Sequence, residues 1–129
     1  MLKPESFDSI LMLWTFAYTE FPEKLVSEIK RLLKPNGNFF IITYAEKFRK
    51  KHSYILDGTD HKFYLTKTKA KYFTLDFEDV RIEGFRFFDV PRFYNLNIGF
   101  IKIFLTIDKF FQNIFQNKCY YLIIKGRKG

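Results

Sequence analysis

The sequence predicts an α/β fold built on a mostly parallel sheet, and three consecutive stretches carry that expectation. Residues 10–14 form an unbroken apolar run, ILMLW, which suits a strand covered on both faces. In FPEKLVSEIKRLLKPNG, the residues Leu25, Val26, Ile29, Leu32 and Leu33 recur at the spacing of one helical face. NFFIITYA then supplies a second buried strand. Strand, helix and strand joined by short connections form the crossover unit of parallel sheets.

Within that unit, Pro22 suits the first helical position and Glu23 faces the positive end of the helix dipole. Lys30, Arg31 and Lys34 fall in the expected last turn, and Pro35-Asn36-Gly37 stops the helix. Residues 46–71 are a basic insertion whose first part, EKFRKKHSYILDGTDHK, reads as an exposed loop or short helices. Thr66 is placed to cap a short basic helix that runs to Phe73. FEDVRIEGFRFF reads as a strand with Val80, Ile82 and Phe85 inward, broken by Pro91. An amphipathic helix is expected over 99–116, within a 96–117 segment. Phe100, Ile103, Phe104, Ile107, Phe111 and Ile114 form its apolar face, and Lys102, Thr106, Lys109, Asn113 and Gln116 its polar side. CYYLIIK makes a last strand, after which GRKG frays. There is no internal repeat and no linker, so residues 1–129 read as a single domain.

Composition narrows the classes of function. A chain of 129 residues with 47% apolar and 28% charged residues is not disordered. The lone Cys119 excludes an internal disulfide and a cysteine zinc site. Asp57, Asp60 and His61 are too closely bunched to form a scaffolded metal site, so no metal is expected. No apolar run approaches the ~18 residues of a membrane span, and no signal peptide opens the chain, which predicts a soluble, cytoplasmic protein. The net charge of +8 arises within residues 24–71, which hold twelve basic and four acidic residues. Together with 18 Phe it hints at nucleic acid, but Lys outnumbers Arg sixteen to six, whereas base and phosphate recognition leans on Arg. A coding bias toward Phe, Lys, Ile, Asn and Tyr explains the excess, and no nucleic-acid partner is expected.

Phe7-Asp8 opening a strand, Phe16-Ala17-Tyr18 after it, and Arg31-Leu32-Leu33-Lys34-Pro35-Asn36-Gly37 closing the helix follow one another in a recognisable order. The stretch resembles the second half of a class I S-adenosylmethionine-dependent methyltransferase, with its FD strand, Leu-Glu-His-like triplet and R-x-LKPGG turn. The likeness continues through HKFYLTKTKAKYF, similar to the family's H-x-R-F-F-T segment. DFEDVRIEGF resembles its G-F-E-V-V strand, and CYYLIIKGRK its closing strand. Asn36 replaces the first glycine of the turn, and Asn tolerates the left-handed backbone needed there. Tyr18 stands where the family often has His, so no role is carried over to it.

The resemblance implies a partial Rossmann-like methyltransferase sheet, made of the family's fourth to seventh strands with the last antiparallel. It implies S-adenosylmethionine as cofactor and a small-molecule or lipid-linked methyl acceptor. It also implies that the cofactor-binding half is missing here, since no glycine pair forms a G-x-G loop. The chain alone is then expected to be inactive, and its first strand needs a missing amino-terminal half or a partner chain along its edge. By position in the family, Leu13, Trp14 and Thr15 border the cofactor, while Thr43, Tyr44 and Ala45 face the acceptor. Trp14 or Tyr44 can set a ring beside the positive sulfur. His61 and Tyr64 match the segment that closes over the acceptor, His61 as general base and Tyr64 in binding. Two other readings stay open: a non-catalytic half-domain that pairs through its exposed edge, and a basic membrane-surface module in peripheral contact with lipid. The aromatic face of the 99–116 helix is expected to pack on the sheet; a lid over an apolar acceptor and a shallow membrane attachment are the other readings. Lys47, Arg49, Lys50, Lys51 and Lys62 form either an attractive patch for anions or a solvated face.

Overall fold

The computed structural model describes residues 2–48, 65–88 and 97–129. Four strands, β1 (Phe7–Leu13), β2 (Leu33–Tyr44), β3 (Glu78–Phe85) and β4 (Tyr121–Arg127), form one sheet in the order β1-β2-β4-β3. β1 runs parallel to β2, and β4 is antiparallel to both of its neighbours, as expected of a closing strand. Helices α1 (Pro22–Leu32), α2 (Lys67–Phe73) and α3 (Ile98–Ile114) complete the described fold, with short 3-10 turns at Thr15–Tyr18 and Gln116–Lys118.

The core lies on one face of the sheet. Ile29 of α1 and Ala70 of α2 meet Leu33, Phe39 and Ile41 of β2 and Leu122 and Ile124 of β4, with Phe16, Leu65 and Phe77 closing the cluster. Thr66 caps α2 as expected, its hydroxyl accepting from the Lys69 amide at 3.2 Å.

α1 ends at Leu32, earlier than the proline turn implied. Pro35 biases the residue before it away from helix, so Leu33 and Lys34 already belong to β2. Lys34 therefore does not serve the helix end; its ammonium pairs with Asp8 of β1 at 2.9 Å. The carbonyls of Arg31 and Leu32 instead accept the amides of Glu5 and Ser6. Asn36 does adopt the left-handed conformation, with φ 63°. The terminal Gly126-Arg127-Lys128 is not frayed: Gly126 and Arg127 extend β4, and Lys128 exchanges backbone bonds with Asn36 and Gly37 at 2.9 Å.

Two other expectations are corrected. Val80, Ile82 and Gly84 share the core side of β3, which leaves Phe85 on the opposite face beside Tyr121. Alternation from Ile82 makes Gly84 the inward residue and turns Phe85 outward, because the register with β4 is regular from Arg81 to Phe85. Gln116 does not mark a solvated side; its side-chain oxygen accepts the Gly84 amide at 2.7 Å.

β1 is the larger departure. The apolar run predicted a strand covered on both faces, yet Leu11 is 64% exposed and Leu13 48%. Ile10 and Met12 pack on the core while Leu11 and Leu13 face away from it, level with Phe40 and Ile42. β1 pairs only with β2 among the described strands, and among the described residues no helix covers the sheet face that carries Leu11 and Leu13.

Candidate active site

Parallel strands bring their carboxyl ends to one rim, where α/β proteins place their sites. At this rim β1 ends in Leu13, Trp14 and Thr15, and β2 in Thr43, Tyr44 and Ala45. Trp14 takes the left-handed conformation, φ 63° and ψ −16°, and its amide donates to the Ile42 carbonyl at 2.8 Å. A non-glycine residue held there costs about 1–3 kcal/mol, and such strain collects at functional positions. The result is a half-buried indole set against Tyr44 at 5.1 Å, tilted by 32°, and edge-on to Tyr121 at the same separation.

Tyr121 begins β4 directly opposite Tyr44, and Phe48 closes on both rings at 4.5 and 5.9 Å. The rim thus carries an aromatic cluster of Trp14, Tyr44, Phe48 and Tyr121 on the side of the sheet away from α1 and α2. Burial, and to a lesser degree the neighbouring Tyr18, pushes the Tyr44 phenol above its ordinary value, so it stays protonated at neutral pH. It is a hydrogen-bonding group here, not a base.

The predicted site residues divide. Leu13, Trp14 and Tyr44 come together on the open side, and Thr15 stands exposed beside them with its hydroxyl donating to the Leu13 carbonyl at 3.1 Å. Thr43 and Ala45 point the other way, into the helical layer, where Thr43 is 0% exposed. They do not join the aromatic rim. His61, Tyr64, Asp57 and Asp60 lie outside the described residues, as do Arg49, Lys50, Lys51 and Lys62. Among the described residues there is no group of side chains able to hold a metal ion.

Sequence reasoning missed Tyr121, Phe48 and the role of Lys47. The Lys47 ammonium sits between the rings of Phe87 and Tyr120, 4.2 and 4.5 Å from their centroids, and donates to the Phe87 carbonyl at 2.8 Å. It ties the end of β2 to the segment after β3 and does not stand in a solvated patch. The signal for Tyr121 was its position in CYYLIIK, but only the antiparallel register sets it against Tyr44.

On the helical side a cleft of about 550 Å³ lies between Ala45, Lys67, Gln116, Cys119 and Leu122. Cys119 is buried, and burial raises its thiol above the usual value although Lys47 and Lys67 pull the other way. Its thiolate is scarce at neutral pH and its sulfur is shielded. Alkylation by iodoacetamide at pH 8 should run at least about tenfold slower in the native chain than in urea. Equal rates would contradict the burial.

Residues 1–41 match the family model described as a methyltransferase domain. No curated protein sequence matches the chain. Solved structures share its fold along nearly its full length. A methyltransferase from Thermotoga maritima, described as a possible histamine N-methyltransferase, is 17% identical with a TM-score of 0.70 over 99% of this chain and 58% of its own. Phosphoethanolamine N-methyltransferase 2 of Haemonchus contortus, solved with S-adenosyl-L-methionine, is 18% identical with a TM-score of 0.63 over 99% of this chain and 34% of its own. An S-adenosylmethionine-dependent methyltransferase from Archaeoglobus fulgidus is 16% identical with a TM-score of 0.64 over 98% of this chain and 62% of its own. The chain therefore spans between one third and three fifths of the length of these structures.

Proposed function

We propose that the chain supplies the acceptor-side half of an S-adenosylmethionine-dependent methyltransferase, which transfers a methyl group to a small-molecule or lipid-linked acceptor in the cytoplasm. Its fold is shared with solved methyltransferases, and residues 1–41 match a methyltransferase-domain model. The observation that carries the reading is the aromatic rim on the sheet face away from α1 and α2, at the carboxyl end where this fold works. S-Adenosylmethionine supplies, when bound, a methyl group on a cationic sulfur. The rim fits one part of that molecule: the Trp14 and Tyr44 rings offer negative faces to a sulfonium, worth about 0.5–2 kcal/mol. Leu13 and Thr15 border the same place. Nothing in the rim replaces a G-x-G loop or a ribose-binding carboxylate, so the adenosine part belongs to a layer packed on the open face and paired along β1.

The chain's own contribution is mostly position. Holding acceptor and donor aligned accounts for most of the rate in a displacement of this kind. Tyr44 orients the acceptor through its protonated phenol; by their positions in the family pattern, Tyr64 binds the acceptor and His61 takes its proton where it has one to lose. A second reading rests on the bare β1 edge alone: a half-domain that docks on a partner without catalysis.

Trp14 is the one tryptophan in the sequence, so its fluorescence reports on the site directly. Titration of the chain alone with S-adenosylmethionine should give no saturable change at millimolar concentration. A longer polypeptide or complex that adds a G-x-G strand beside β1 should show saturable quenching and methyl transfer. Micromolar saturation by the chain alone would overturn the division of labour. Quenching without any transfer to primary-amine, hydroxyl or lipid-linked acceptors would favour the non-catalytic reading.

A further inference from the structure

α3 carries exposed apolar side chains away from the face that docks on the sheet. Phe104 and Phe111 turn toward the sheet with Asp108 and Gln112, which accept amides of Phe88, Phe87 and Arg86. Away from these, Ile103, Ile107, Phe110 and Ile114, between 46% and 62% exposed, form a stripe along a helix about 25 Å long. Thr106 and Asn113 border the stripe, and Lys102 and Lys109 lie beyond them, all exposed. We propose that α3 lies on an anionic lipid surface, with this stripe among the acyl chains and the lysines at the headgroups.

Charge decides the occupant. Between residues 98 and 118 the exposed charges are Lys102, Lys109 and Lys118, while the one acid, Asp108, is buried against Arg86. A helix whose exposed charges are all basic complements a phosphate-rich surface, and the chain's net +8 adds long-range attraction. Spanning is excluded for the described residues, because no helix is long and apolar enough to cross a membrane. The three-and-four spacing of the stripe also occurs where helices pair, but it covers only two heptads, short of the three or four that sustain a coiled coil. α3 docks on β3, at the far edge of the sheet from β1, so the surface left for a cofactor-binding layer is separate. The inference therefore goes beyond the methyl-transfer reading and does not rest on it.

Flotation of the chain with vesicles tests it. An equimolar mixture of phosphatidylcholine and phosphatidylglycerol should carry the protein upward, and phosphatidylcholine alone should bind at least about tenfold less. The double substitution Ile103→Gln/Phe110→Gln should lower affinity for the anionic vesicles at least about tenfold, and so should Lys102→Glu/Lys109→Glu. Slow amide exchange at Phe87 and Phe88, retained in both variants, shows that α3 is still docked. Should either variant undock α3, the single substitutions Ile103→Gln and Lys102→Glu carry the test, each with a smaller loss in the same direction. No flotation, or binding that the stripe substitutions leave unchanged, would overturn the proposal. A dimer dissociated by Ile103→Gln/Phe110→Gln, without vesicle binding, would assign the stripe to a second copy instead.

Discussion

Replacing Asp108 by Ala is expected to detach α3 from the sheet at a cost of about 3–5 kcal/mol. The Asp108 carboxylate accepts the amides of Phe87 and Phe88 at 3.0 and 2.7 Å and lies 3.6 Å from the Arg86 guanidinium. Its side chain is only 4% exposed. Truncation leaves two amides and a mostly buried cation without this acceptor. Asp108→Asn retains one acceptor oxygen for the two amides and gives up only the charge, so its cost should be about 1–2 kcal/mol. Hydrogen exchange reads the difference: protection at Phe87 and Phe88 should vanish in Asp108→Ala and survive in Asp108→Asn. Unchanged protection in the alanine variant would mean that the aromatic contacts of Phe104 and Phe111 hold the helix unaided.

The same clamp explains what the sequence could and could not disclose about α3. Its existence was legible, because apolar residues recur over four turns without a proline. Its orientation was not, because apolar residues occupy both the docked face and the free one, so periodicity cannot choose between them. The choice is made by Asp108, Gln112 and Gln116, whose partners at Phe87, Arg86 and Gly84 lie 21 to 32 residues away in sequence. A sequence pattern holds no record of such distant pairings. In the sequence nothing distinguishes Asp108 from the polar residues around it.

β1 shows a different limit. Residues 10–14 state that a strand needs both faces covered, and the structure honours that on the side of Ile10 and Met12 only. The pattern encodes a requirement without naming the layer that meets it. At the rim, the pairing of Trp14 with Tyr44 followed from adjacent parallel strands, since both close their strands at the carboxyl end. Tyr121 enters from an antiparallel strand that starts there, and its place depends on a register fixed across the 76 residues between Tyr44 and Tyr121. What was legible was local order along β1-α1-β2; what was hidden was everything set by the arrival of β3, α3 and β4.

The second large effect is expected at Phe39. This residue is 3% exposed at the centre of the core, with the Phe77 ring 4.6 Å away. Phe39→Ala should cost about 3–5 kcal/mol, the transfer of an aromatic side chain plus the cavity it leaves. That is a large share of the ~5–15 kcal/mol that holds a typical domain folded, so the urea midpoint should fall steeply or the chain should fail to fold. Gly126 sits across the strand pair from Phe39, and a Cβ placed there would meet the ring at 2.8 Å and Val80 at 3.1 Å. Gly126→Ala alone should therefore lose about 1–3 kcal/mol by overpacking. In the background of Phe39→Leu the offending ring edge is gone, and the added methyl fills space that the smaller side chain leaves. The two substitutions together should then cost at least about 1 kcal/mol less than the sum of their separate effects. Strict additivity would show that Val80, and not Phe39, is what forbids a side chain at position 126.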